Sequence, residues 1–157
     1  MNVIQIMKRC QGVRVQRTRL IELVDGVCRR FGVDRATVSV GIVGDAEIAE
    51  LNRRFLNHKG TTDCLSFDLS ENRGKRGGVV FDLIVNAEMA DRQGAARGHS
   101  AAAELALYVT HALLHQLGFD DMDNASAGEM HRTEDEILQH YGYGSVYNDR
   151  TRPTETG

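Results

Sequence analysis

The stretch from Ala106 to Asp123, ALYVTHALLHQLGFDDMD, constrains this chain more than any other. Leu105, Leu107, Val109, Leu113, Leu114 and Leu117 make it apolar on nearly every side, the pattern of a helix buried in a core. His111 and His115 stand four residues apart within it, so both imidazoles leave one helical face and can meet at one point. Gly118 then stops the helix, and Asp120, Asp121 and Asp123 follow at once. Polar side chains on a buried helix cost roughly 2–7 kcal/mol in all-apolar surroundings unless they find partners. Two nitrogens, a tight turn and then carboxylates form a donor set suited to a transition metal. Histidines satisfied within the core are the alternative.

A chain of 157 residues suits one domain with a sizeable core. Its 41% hydrophobic and 26% charged residues are the balance of a soluble globular protein. No apolar run approaches a bilayer span, and MNVIQIMKRC lacks the apolar region and cleavage site of a signal peptide. Cys10, Cys28 and Cys64 are odd in number and widely spaced, so neither a disulfide framework nor a Cys-x-x-Cys clip is expected. A reducing cytoplasm is the expected compartment. Charge is uneven along the chain. Residues 1–60 hold 11 basic against 6 acidic residues, whereas residues 61–157 hold 8 against 16. A basic first part can track a phosphate backbone while the acidic remainder holds cations.

In order, Val3–Met7 predicts a strand, and a helix from Thr18 to about Phe31 presents Leu20, Leu23, Val24, Val27 and Phe31 at spacings of three and four. Ala36–Val43 alternates with β-branched residues and predicts a strand. Asp45 is expected to cap a short helix through Ile48, Leu51 and Phe55. Cys64–Leu69 and Val79–Val85 predict two strands of a hairpin around the basic, glycine-rich loop Ser70–Gly78. A helix over Ala87–Ala96 breaks near Gly98 and His99, and Ser100 caps the histidine helix. Ser126 and Glu129 suggest a capping box for a last helix burying Met130, Ile137, Leu138 and Tyr141. His131 and His140 are expected to face solvent. The order βαβαββααα implies a single α+β domain over residues 1–147, a small mixed sheet of about four strands packed with helices. Residues 148–157 are expected to be a disordered tail.

A His-x3-His pair suggests the zinc proteases, but their helix needs a glutamate after the first histidine as general base. Ala112 stands there. Two histidines and a carboxylate still leave a metal position open for water, which such an ion makes acidic enough to attack at neutral pH. Hydrolysis is the natural class.

The same run resembles the signature of the YbeY family, metal-dependent endoribonucleases of bacterial rRNA maturation, whose pattern is His-Gly-x-Leu-His-Leu-x-Gly-Tyr-Asp-His. Here it stands as His111-Ala112-Leu113-Leu114-His115-Gln116-Leu117-Gly118-Phe119-Asp120-Asp121. A second family signature, Thr-Asp-Val-Leu-Ser-Phe, is matched by Thr62-Asp63-Cys64-Leu65-Ser66-Phe67. Leu51, Asn52 and Phe55 fit the lead-in helix, Phe81-Asp82-Leu83 meets a Gly-Asp-Ile strand in part, and Met130, Glu134 and Ile137 recur downstream.

The resemblance implies a cytoplasmic, single-strand-leaning endoribonuclease acting in small-subunit rRNA 3′ end maturation and ribosome quality control. It implies rRNA and small-subunit proteins as partners, with neither membrane nor DNA. One divalent metal would be held by His111, His115 and Asp121, with Asp123 the other candidate for the third place. Asp120 would be an orienting aspartate, and Asp63 and Ser66 would lie near the metal as catalytic residues. Asp82 would serve a ribosome-related role. Two departures stand out. The family's third histidine falls on Asp121, so zinc is expected with manganese or magnesium as alternatives. The family's arginine after the lead-in aromatic falls on Leu56. Arg53, Arg54, His58 and Lys59 are the nearby cations expected to meet RNA phosphates, and spacing does not choose among them. Both departures keep a rival open: a ribosome-assembly binding factor of the same fold with little nuclease activity.

Overall fold

A computed structural model describes residues 1–70, 78–144 and 146. The chain runs β1 (Val3–Lys8), α1 (Arg17–Arg30), β2 (Ala36–Val43), α2 (Asp45–Leu56), β3 (Cys64–Asp68), β4 (Val79–Asn86), α3 (Ala87–Arg97), α4 (Ala101–Gln116) and α5 (Asn124–His140). This is the expected order. Most of the basic loop expected to join the hairpin, residues 71–77, and the tail expected to be disordered lie outside the described residues.

The sheet has the order β1-β2-β4-β3. β1 and β4 flank β2 in parallel, and β3 closes the hairpin antiparallel to β4. Strand parity then decides what faces what. Val38, Val40, Ile42, Phe81, Leu83 and Val85 turn to one side and form the main core with α1, α4 and α5. Val43, Leu65, Phe67 and Ile84 turn to the other side and meet Ile48 and Leu51 of α2. Because Ser66 pairs with Leu83 and Phe67 with Asp82, β3 presents Ser66 to the α4 side and Phe67 to the α2 side. None of the described helices is long and apolar enough to cross a membrane.

α4 is the central element. Ala103 to Thr110 and Ala112 to Leu114 are all buried, as an all-round apolar helix demands. Ser100 caps it by accepting from the Ala103 amide at 3.0 Å. α3 ends at Gly98, whose φ of 80° is the left-handed conformation that glycine adopts at least cost. The cysteines are free, and Cys28 is a packing residue of the core. Burial pushes its thiol up to about 11, so it stays protonated.

Two capping expectations are corrected. Asp45 is the first residue of α2, not its cap, and its amide donates to Glu88 Oε1 at 2.7 Å. Its carboxylate turns instead to Arg92, Asn86 and Thr61, where charge-assisted bonds outcompete a cap to its own backbone. At α5 the cap is Asp123, which accepts from the Ser126 amide at 2.7 Å, so the Ser126–Glu129 box does not form. A carboxylate at a helix N-terminus also meets the positive end of the macrodipole, an advantage serine lacks.

Gly94, buried in α3, lets the chain fold back tightly into α4. A Cβ there would stand 2.9 Å from the His99 carbonyl oxygen and 3.0 Å from that of Ser100. Alanine is the better helix former by about 1 kcal/mol, but backbone cannot yield as a side-chain tip can. Gly94→Ala is therefore expected to destabilise the protein by about 1–3 kcal/mol in denaturant unfolding, opposite in sign to its helix propensity.

Candidate metal centre

His111 and His115 leave α4 on one face, with their Nε2 atoms 3.2 Å apart. Two nitrogens bound to one tetrahedral zinc, each about 2.0–2.1 Å from it, would lie about 3.3 Å apart. The other side of the His111 ring is fixed. Its Nδ1 is 2.6 Å from Glu134 Oε2, and Glu134 is wholly buried on α5. A carboxylate accepting Nδ1–H leaves Nε2 with its lone pair free, the tautomer that a metal ligand needs. Burial pulls the His111 pKa down, but the hydrogen bond and charge of Glu134, with Asp63 and Asp121, outweigh it and hold the ring above its ordinary 6.5. Burial likewise pushes Glu134 up, and hydrogen bonds from His111 and His131 more than reverse it.

His131 was expected to face solvent. It is half-buried, and its Nδ1 is 3.0 Å from Glu134 Oε1. Both oxygens of the buried carboxylate are thus engaged by imidazoles, which is what a charge removed from water requires.

Beyond α4, Asp121 is exposed on the turn, and one of its oxygens lies within 4.8 Å of nitrogens of both His111 and His115. His111, His115 and Asp121 are the group among the described residues that could hold a metal ion. Asp123 is held as the α5 cap, its carboxyl kept below the usual range by the Ser126 amide and hydroxyl. Asp120 is exposed, and its Oδ1 accepts from the Met122 amide at 3.2 Å. The carboxylate touching the His111 ring is therefore Glu134.

Asp63 immediately precedes β3 and is half-buried, close enough for its charge to act on His111. Ser66 is joined to α4: Gln116 Nε2 donates to its Oγ at 2.8 Å. With a lone pair so occupied, the Ser66 hydroxyl keeps its proton for another acceptor.

The four cations cluster at the end of α2 and in the loop after it. All are exposed. Arg53 is engaged by both oxygens of Glu50, at 2.6 and 3.3 Å. Arg54 lies over the Phe55 ring, 5.5 Å from its centroid, and Phe55 meets Phe67 edge-on at 5.8 Å. Asp82 sits apart from the histidines, on the α2 side of the sheet between Ser39 and Phe67. Burial pushes its carboxyl up and Arg9 draws it back.

Glu134 matches the family signature only by spacing, and that spacing alone does not show the bond it makes to His111. The signal was available: with Met130, Ile137 and Leu138 it lies on the buried face of an amphipathic helix, where an acid demands a partner. Gln116 and Asn86 gave no comparable signal, because polar residues at element ends are ordinary.

A model of the family described as Endoribonuclease YbeY matches residues 5–142. A Micrococcus luteus protein named Endoribonuclease YbeY is 32% identical over 133 residues, 81% of this chain and 85% of its own. One of the same name from Staphylococcus carnosus is 38% identical over 114 residues, 69% and 74% of the two chains. The solution structure of a Thermotoga maritima protein covers 98% of this chain and 95% of its own, with a TM-score of 0.59 and 22% identity, and shares the fold. A helix carrying convergent histidines, a hairpin brought to its end and a match along nearly its whole length lead to one conclusion: the chain belongs to the YbeY endoribonuclease family.

Proposed function

We propose that this protein is a cytoplasmic, metal-dependent endoribonuclease that cuts single-stranded RNA in small-subunit rRNA 3′ end maturation and ribosome quality control. The observation that carries the reading is the convergence of the His111 and His115 Nε2 atoms, with Asp121 beside them and Glu134 behind. The names of its relatives support RNA as substrate. These residues would hold one divalent ion, zinc by preference, which when bound makes a water nucleophilic and stabilises charge on a phosphoryl oxygen.

The protein's own groups have distinct tasks. Glu134 keeps the His111 ring oriented and holds the neutral ring's proton on Nδ1, so that its Nε2 lone pair faces the site. Asp63 places a carboxylate beside the site, able to accept a proton from the attacking water. Ser66, fixed by Gln116, is free to donate to a phosphate oxygen. Asp120 shapes the turn that carries Asp121. Arg54, His58 and Lys59, with Arg53 partly spent on Glu50, would meet the RNA backbone. Phe55, 60% exposed, offers an aromatic face on which an unpaired base can stack. Asp82, on the other side of the sheet, is assigned to contacts with small-subunit proteins.

Asp121 and Leu56 favour the second reading, a ribosome-assembly factor of the same fold with weak or no cleavage. Asp121 adds negative charge where the family signature has a neutral imidazole, and Leu56 is 44% exposed and uncharged.

Elemental analysis of untagged protein is expected to show one ion per chain, lost in His111→Ala and in His115→Ala with the fold kept. Full occupancy in either variant removes the site. Glu134→Gln should weaken binding about 10–100-fold. Because Glu134 also holds the His111 pKa above 6.5, protons compete with the metal to higher pH, and wild-type occupancy should fall as pH drops through that range.

Asp121→His should raise affinity for zinc relative to manganese, since it replaces a hard anion with an imidazole. Asp123→Ala should leave metal affinity intact while costing about 1 kcal/mol of stability through the lost cap. If Asp123→Ala abolishes metal binding instead, Asp123 is the third ligand.

Binding of a short single-stranded RNA should weaken as salt rises, and Arg54→Ala or Lys59→Ala should each reduce the salt slope by about one unit. Arg53→Ala should do less, because Glu50 already neutralises that side chain. His111→Ala should abolish cleavage and spare most binding. A wild type that binds RNA but never cuts it with zinc, manganese or magnesium establishes the assembly-factor reading.

A further inference from the structure

We propose that Asn86 is a positioning residue of the RNA-cleaving site, acting through Asp63: its buried amide clamps the Thr61–Asp63 segment and so fixes the Asp63 carboxylate beside His111. The proposal rests on the endoribonuclease reading above. Asn86 is the last residue of β4 and is wholly buried. Its backbone amide donates to the Asp63 carbonyl at 2.9 Å, extending the β3–β4 ladder by one step beyond Cys64 and Val85. Its side-chain NH2 is shared among three oxygens, the Thr62 carbonyl at 3.1 Å, Thr61 Oγ1 at 3.0 Å and Asp45 Oδ1 at 2.8 Å. Its Oδ1 accepts from the Met89 amide at 3.0 Å and caps α3. One residue thus holds three consecutive residues of the segment that delivers Asp63, Thr61 and Thr62 through its side chain and Asp63 through its backbone amide.

The clamp is itself braced. Arg92 on α3 forks onto both oxygens of Asp45, at 2.6 and 3.0 Å, and Thr61 Oγ1 donates to Asp45 Oδ1 at 3.2 Å. Arg92 and Asn86 together hold the Asp45 carboxyl down to about 2, so the brace stays charged across the neutral range. The segment needs this support. It leaves an exposed loop that turns through Asn57 and Gly60 at positive φ, and nothing in such a loop fixes a side chain to a fraction of an ångström. A displacement of about 1 Å in a reacting group costs on the order of 100-fold in rate. A buried amide whose every donor and acceptor is used does not drift without breaking several bonds together.

The test uses Asn86→Ser, which retains an oxygen to cap α3 but removes the NH2 donors. Cleavage of a short single-stranded RNA with saturating manganese is compared for wild type, Asn86→Ser, Asp63→Asn and the double variant. Denaturant unfolding, manganese affinity and amide hydrogen exchange at residues 61–64 are measured in parallel. Asn86→Ser is expected to lower kcat about 10–100-fold with KM and metal affinity within about two-fold of wild type. In the Asp63→Asn background it should cost nothing further, because both changes disable one device. Arg92→Ala, a change at a half-exposed brace, should give a smaller kcat loss that Asp63→Asn absorbs in the same way, which keeps the test decisive if Asn86→Ser folds poorly. Wild-type kcat in Asn86→Ser, or losses that multiply with those of Asp63→Asn, overturns the proposal. If the wild type does not cut RNA, the endoribonuclease reading falls separately. Exchange then decides the clamp, and wild-type protection at residues 61–64 in Asn86→Ser overturns it.

Discussion

The structure depends on one carboxylate kept out of water. Glu134 lies between α4 and α5 with an imidazole on each oxygen, and no solvent reaches it. A carboxylate in that position is costly unless paired, and breaking a buried pair by deleting one partner leaves the other stranded. The arrangement therefore couples three things that could have been independent: the packing of α5 on α4, the tautomer of His111 and the direction in which its second nitrogen points. The same bond that helps hold the helices in register turns the free nitrogen of His111 towards the candidate metal site. The core around it supplies the rigidity, since α4 is buried along most of its length and contributes to the main cluster with α1, α5 and three strands.

A second polar centre works at the open end of the hairpin, where Asp63 leads into β3. Asn86, Asp45, Arg92 and Thr61 tie the start of α2, the end of β4 and the start of α3 to the segment entering β3. Strand parity then sends Ser66 towards Gln116 and α4, while Phe67 goes to Phe55 and α2. Consecutive residues of one edge strand thereby separate the chemistry from the aromatic surface. A polymer crossing that edge would meet both.

The sequence made the fold class and the element order legible because both follow from local pattern: α1 and α5 carry apolar spacings of three and four, α4 is apolar on nearly every side, and β2 alternates over Ala36, Val38, Val40 and Ile42 before Val43 turns to the other face. The convergence of His111 and His115 was legible for the same reason, since i,i+4 geometry needs no tertiary information. What failed was competition between equivalent local options. Ser126 and Asp123 are both good caps for α5, and only the folded chain shows that Asp123 takes the role. Asp45 looked like a cap until Arg92, 47 residues away, offered it a stronger partner. His131 looked solvent-facing because it lies beside the apolar stripe of Met130, Ile137 and Leu138 rather than on it, and only the folded helix turns its ring onto Glu134. The Ser66–Gln116 bond spans 50 residues and depends on the register of β3 against β4, which periodicity does not set.

The candidate ligands all come from one short stretch, the end of α4 and the turn after it, whereas the main core is built without them from helices and strands drawn from the whole chain. In small zinc modules the ion supplies the folding free energy, and its loss unfolds the chain. Here the main core includes none of the candidate ligands, so it would stand without an ion. Exposure of Asp121 gives that ion an open route in and out. Occupancy of such a site would be an equilibrium with the surrounding pool rather than a condition of folding, and the identity of a bound metal would follow supply as well as affinity.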